Sequence, residues 1–290
     1  MSNLLGSEAG KKGSVQTSIS RFTSRVVSLA KKATGDWSEP PVQPGEGGYA
    51  DWIIVSILGL REFKTAPYRS LLDELSQMEV VAEKLGLEVD ELPDFTTICA
   101  RYQDLKMAVW RALLRHSAGL LKTGSVQAID ATGFDRQGAS RQYANRTNYR
   151  FKTVKTTALV DCKTSLILDI HCSMKQPHDA RIGPQVLERN LDRVEILTAD
   201  EGYDAAEFRD NLRSHDVRPV IKHREFGSLD QAHNARLDDE IYAQRAVVES
   251  VFAALKQRFG DTIRARTWFG QFRELVLKAA VYNLINALSH

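Results

Sequence analysis

At Gly124 the hydrophobic pattern of this chain changes period, and no other feature limits its possible folds as strongly. Before Gly124, apolar residues recur at helical spacing. After it, short runs rich in β-branched residues alternate with amphipathic ones. "SVQAIDATG" reads as a strand, and "RFKTVKTTALVDC" and "SLILDIHCS" read as two more, joined by "KT". A helix "DARIGPQVLERNLD", a buried strand "VEILTAD", a helix "DAAEFRDNLRSHD" and a strand "VRPVIKH" follow. Three closely connected strands followed by α and β units predict a mixed α/β sheet with helices packed against it. Further on, "TIRAR" predicts a short strand and "FRELVLKAAVYNLINALS" a terminal helix against the sheet.

Upstream, "GDWSEPPVQPGEGG" carries three prolines and four glycines and predicts a linker. The expected organisation is a flexible arm and linker over 1–48, a small all-helical domain over 49–122 and the α/β domain over 123–290. The most apolar stretch, "WIIVSILGL", is under half the roughly 20 residues that span a bilayer, so it predicts a core helix and no membrane partner. With 43% hydrophobic and 26% charged residues among 290, the chain has the balance of a soluble globular protein. A net charge of +2 is too small to identify a partner, so local charge has to be read instead. Cys99, Cys162 and Cys172 show neither even pairing nor metal spacing, which suits a reducing compartment, by default the cytoplasm.

Asp130 and Asp200 each end an apolar strand and precede a turn of small residues, the position where open α/β sheets place ligands. An aspartate there is also common in turns and caps. A third carboxylate, Glu249, lies in "YAQRAVVESVFAALK". Wound at about 100° per residue, this segment puts Tyr242, Arg245, Glu249 and Lys256 within an arc of about 60°, opposite a broad apolar face. An ordinary Arg245–Glu249 ion pair on a solvated helix, worth about 0.3–0.5 kcal/mol, would account for part of this stripe. Three converging carboxylates would repel one another unless cations neutralised them, and Mg²⁺ prefers such oxygen ligands. Asp130, Asp200 and Glu249 therefore suggest a two-metal site, with chemistry at a phosphodiester. In that setting Lys256 can hold a phosphate as a point charge, Arg245 can fork onto one, and Tyr242 adds a hydroxyl and a stacking face.

Tyr, two residues, Arg, three residues, Glu, six residues, Lys resembles the signature of DDE transposases encoded by bacterial and archaeal insertion sequences. "IDATGF" looks like their first catalytic aspartate segment and "TADEGYDA" like the second, and "LPDFTTICARYQDL" is similar to the helical segment before the catalytic domain in the insertion-sequence-five group. The resemblance spans about residues 50 to 290. It implies an RNase H-like catalytic core that cuts the ends of its own element and joins the 3′ hydroxyls to target DNA. Asp130, Asp200 and Glu249 would bind two Mg²⁺ ions, with Mn²⁺ able to substitute. Tyr242, Arg245 and Lys256 would hold the transposon end. It also implies double-stranded DNA as partner, a homodimer in the synaptic complex and association with the nucleoid when bound. Only about 15 residues separate "RPVIKH" from the Glu249 helix, too few for the β insertion domain of larger relatives. Two alternatives remain open: an RNase H-like endonuclease without strand transfer, and a catalytically silent DNA-binding relative.

"RQYANRTNYRFKTVK" carries Arg146, Arg150 and Lys152 among aromatics with no acid, as a DNA-tracking surface or a lysine-guarded hairpin edge would. Asp179 is expected to cap a helix. Glu201, next to Asp200, is left out of the carboxylate set because adjacent side chains at a strand end point apart.

Overall fold

Alternation along the strands decides which layer each residue joins. The computed structural model describes residues 18–39, 48–136, 153–175 and 177–290. Strand β1 (Val126–Arg136) is central. It pairs antiparallel with β2 (Val154–Asp161), which pairs antiparallel with β3 (Ile167–Ser173). On its other side β1 runs parallel to β4 (Ile196–Ala199), which runs parallel to β5 (Arg218–Ile221). The order β3-β2-β1-β4-β5, with β6 (Thr262–Ile263) added to the far end of β1, is the mixed sheet of an RNase H-like core.

Ile129, Leu159 and Leu197 face one buried cluster, shared with α7 (Asp179–Glu188) and α8 (Ala206–Ser214). Ala128, Phe134, Ala158 and Ile170 face the other. That second cluster includes α11 (Ala246–Phe259), α12 (Trp268–Ser289) and residues of the N-terminal helices α1 (Ser18–Thr34), α2 (Asp51–Lys64), α3 (Tyr68–Leu75), α4 (Glu79–Lys84), α5 (Phe95–Asp104) and α6 (Met107–Ala118). Asn283 of α12 is fully buried and bonds β3 directly: its Oδ1 accepts from Ile167 N at 2.8 Å and its Nδ2 donates to Ile167 O at 2.8 Å.

Helix α2 is buried along nearly its whole length, as expected of a core helix. Three local readings differ from the structure. Helix α1 lies inside the stretch expected to be an arm, and Phe22, Val26, Leu29 and Ala30, spaced i, i+4, i+7, i+8, bury one side of it. The polar stretch after β5 contains α9 (Ser228–Asn234). The expected single helix through Tyr242 and Lys256 is two: α10 (Asp239–Ala243), capped by Asp238, and α11. Between them the amides of Gln244, Arg245, Val247 and Val248 bond three residues back, a tighter winding that shifts Tyr242 relative to the wheel. Gly260, at φ 81°, then ends α11 in a conformation that suits glycine and turns the chain toward β6.

Candidate active site

The parallel register Ala128↔Thr198, carried two residues on, brings Asp130 and Asp200 level on neighbouring strands with the same facing. β4 ends at Ala199 while β1 continues to Arg136. Asp130 therefore stands where β1 loses its parallel neighbour, beside the position at which strand order reverses and open sheets leave a crevice.

Each carboxylate is held differently. Asp130 Oδ1 accepts from Ala131 N at 2.7 Å. Asp200 caps the short 3₁₀ turn Glu201–Tyr203, with Oδ1 accepting from Gly202 N at 2.8 Å. A Cβ on residue 202 would lie 2.8 Å from that same oxygen, so only glycine lets the carboxylate approach this closely. Glu249 projects from the first turn of α11 with its side chain 54% exposed. Arg245 joins two of the three, its Nη1 standing 2.7 Å from Glu249 Oε1 and 3.8 Å from Asp130 Oδ2. The expected i,i+4 pair is present, but it also reaches the central strand.

Electrostatics ties the carboxylates together. Burial pushes the Asp130 carboxyl up to about 6; the charges of Asp200 and Glu249 act in the same direction, against the Ala131 amide and Arg245. Beneath them Tyr203 is fully buried, and burial, with the charges of Asp179, Asp130 and Asp200, holds its hydroxyl well above the ordinary range. Among the described residues, no three His, Cys, Asp or Glu side chains stand close enough together to hold a metal ion. All three carboxylates are turned to protein partners, Asp130 to the Ala131 amide, Asp200 to the Gly202 amide and Glu249 to Arg245. The donor set itself, hard oxygens with one half-buried member raised by burial and by its charged neighbours, fits a divalent cation.

Two nearby residues escaped the sequence analysis. Lys256 donates from Nζ to Thr132 Oγ1 at 2.7 Å and lies 5.3 Å from the Phe134 ring. Thr132 shares the Asp130 face of β1, and its signal was its i+2 spacing in "IDATGF". Lys222, just past the end of β5, stands 4.6 Å over the Tyr242 ring, with the Arg245 guanidinium 6.0 Å from that ring. Its signal was a lysine at the carboxyl end of an apolar strand. The stripe residues Tyr242, Arg245, Glu249 and Lys256 thus lie along β1 and the ends of β4 and β5, while Arg146, Arg150 and Lys152 lie outside the described residues. Asp179 is in the first turn of α7 and not at its cap, and it pairs with Lys155 at 2.9 Å. That pair borders a 250 Å³ cleft with Thr132 and Gly133.

Among the described residues, no helix is long and apolar enough to cross a membrane. No curated protein matches the chain in sequence. Among solved structures it is similar to a cryo-EM structure of the piggyBac transposase synaptic complex with hairpin DNA, at 11% identity and a TM-score of 0.49, over 96% of this chain and 76% of that one. It is also similar to the Mos1 transposase paired-end complex with left transposon end, at 12% identity and a TM-score of 0.25, over 78% of this chain and 82% of that one. The family model of the transposase DDE domain matches residues 121–284, more than half of the chain, and on that match the chain belongs to the transposase DDE-domain family.

Proposed function

We propose that this transposase cuts at the ends of its own insertion sequence and transfers the freed 3′ hydroxyls to target DNA, with Asp130, Asp200 and Glu249 as its catalytic carboxylates. The observation that carries the reading is the Arg245 bridge. One guanidinium neutralises Glu249 and leans on Asp130, whose carboxyl is raised by burial first and then by the charges of Asp200 and Glu249. A purely structural ion pair on α11 would have no reason to meet the end of the parallel strands. The three carboxylates would hold Mg²⁺ or Mn²⁺, and such ions supply a nucleophile at neutral pH and stabilise charge on the departing oxygen. The rest falls to the chain. When Glu249 turns from Arg245, the freed guanidinium offers a fork to a phosphate of the scissile strand. Lys256, fixed by Thr132, offers a second positive charge, and Tyr242 a stacking face. Double-stranded DNA is the substrate, and pairing of two ends makes a homodimer the working assembly. The domain division at about residue 122 assigns end recognition to the helical segment and chemistry to the rest.

The test is cleavage and strand transfer on duplexes carrying the element's ends, with Mg²⁺, for wild type and Glu249→Ala. Cutting and joining by wild type, with end binding alone by the variant, is the expected result. An active variant would remove Glu249 from the site. Cutting without joining by wild type would favour the endonuclease reading.

A further inference from the structure

Past the catalytic strand, the segment Arg264–Phe269 is fixed from below and open from above. Glu274, only 6% exposed, accepts the backbone N–H groups of Arg264 at 3.1 Å and Ala265 at 2.9 Å. Its charge is balanced by Lys278, 2% exposed, at 2.8 Å. Gln271, 1% exposed, donates to Ala265 O at 3.0 Å. Burying a carboxylate is costly even when paired, and here it holds one loop in one shape. The side chains presented by that loop and by the first turn of α12 are of another kind. Arg264 and Arg266 are exposed and make no ion pair among the described residues, and Trp268 and Phe269 are exposed at 38% and 62%. Arg136, the last residue of β1, donates to Arg266 O and brings a third guanidinium to the same edge. The neighbouring carboxylates Asp135 and Asp261 form no ion pair with these arginines among the described residues.

We propose that this loop is a ledge for duplex DNA that continues the site beyond Lys256, with Arg264, Arg266 and Arg136 on the phosphates and Trp268 and Phe269 against the sugar–base edge. The inference rests on the transposase reading above. Charge complementarity and continuity select DNA as the occupant. β6 pairs directly with the end of β1, and Thr132, which holds Lys256 of α11, and Asp130 follow back along that strand. Six residues from Asp130 to Arg136, at about 3.3 Å each, cover about 20 Å, which is about six base pairs of duplex. Because the loop is already fixed, little ordering is lost when DNA docks.

The experiment is the salt dependence of binding to a 30-base-pair duplex of arbitrary sequence, for wild type and the Arg264→Gln/Arg266→Gln double variant, with hydroxyl-radical footprints on end-bearing DNA. Loss of two phosphate contacts lowers the slope of log K against log salt by about 1.8. The footprint should lose protection about six base pairs from the cut, with the melting temperature unchanged. An unchanged slope and footprint in a variant that still cleaves would overturn the ledge and leave the function intact, whereas a wild type that neither binds nor cuts DNA would overturn the function itself. If the slope holds while Phe269→Ala shifts the sedimenting species to half its mass, the face belongs to a second copy of this chain and the DNA ledge is wrong.

Discussion

Replacing Asp130 with Asn should make the protein more stable while abolishing its chemistry. The carboxyl rises from an ordinary value of 3.8 to about 6 in the fold, through burial first and then through Asp200 and Glu249. A folded state that holds the proton more tightly than the unfolded chain loses stability as pH climbs between those two values, and the loss is complete above about pH 6. About two pKa units at 1.36 kcal/mol each put it at about 3 kcal/mol. The side chain is 21% exposed, so solvent screens little of this. Asp130→Asn has no charge to desolvate and keeps an oxygen for the Ala131 amide. In urea melts with a chelator present, the variant should match wild type near pH 3.5 and exceed it by about 3 kcal/mol at pH 7. For a chain of this size that is about 6–12 °C in Tm. A variant equal to or weaker than wild type at pH 7 would show that Asp130 is not the electrostatically strained member of the cluster.

Three further outcomes follow from particular contacts. Gly202→Ala pushes a methyl to 2.8 Å from Asp200 Oδ1, so end cleavage should fall at least tenfold with the melting temperature little changed; full activity would mean the Asp200 carboxylate need not sit where Gly202 holds it. Thr132→Val releases Lys256, and the loss of a charged hydrogen bond of about 1.5–3 kcal/mol should weaken end-DNA binding about tenfold or more in a mobility-shift titration, whereas unchanged affinity would dismiss the contact. Asn283→Leu leaves the buried N–H and C=O of Ile167 without partners, and at about 1–3 kcal/mol each, urea melts should show a loss of about 2–6 kcal/mol; a neutral result would mean α12 does not hold β3 this way.

Much of this architecture is legible in the residues, and what is not has physical causes. Apolar runs before Asp130 and Asp200 mark two strands, and Asp200 does follow the end of β4, but Asp130 lies within β1, which continues to Arg136 because its pairing with β2 and β6 carries it past the end of β4. Tyr242 lies on the separate helix α10, whereas the Glu249 and Lys256 part of the stripe follows from the helical period of α11. The tightened turn at Gln244–Arg245 does not, since it depends on three-back hydrogen bonds with no distinctive composition. Helix α9 exposes most of its surface and so has no apolar period to read. The burial of α1 was obscured by its basic, Ser-rich exposed side, although Phe22, Val26 and Leu29 carry the period. That Arg245 would reach Asp130, and Lys256 reach Thr132, required the register of β1 against α11, which only tertiary packing fixes.

The central claim is that Asp130, Asp200 and Glu249 act as one cation site. Mn²⁺ binding to the protein with end-bearing DNA, followed by electron paramagnetic resonance for wild type and for Asp130→Asn, Asp200→Asn and Glu249→Gln, tests it directly. Each single variant should lose Mn²⁺ affinity by at least tenfold while still binding DNA. Undiminished Mn²⁺ binding in all three would show that the carboxylates are not a metal site and return Arg245 and Glu249 to a structural ion pair.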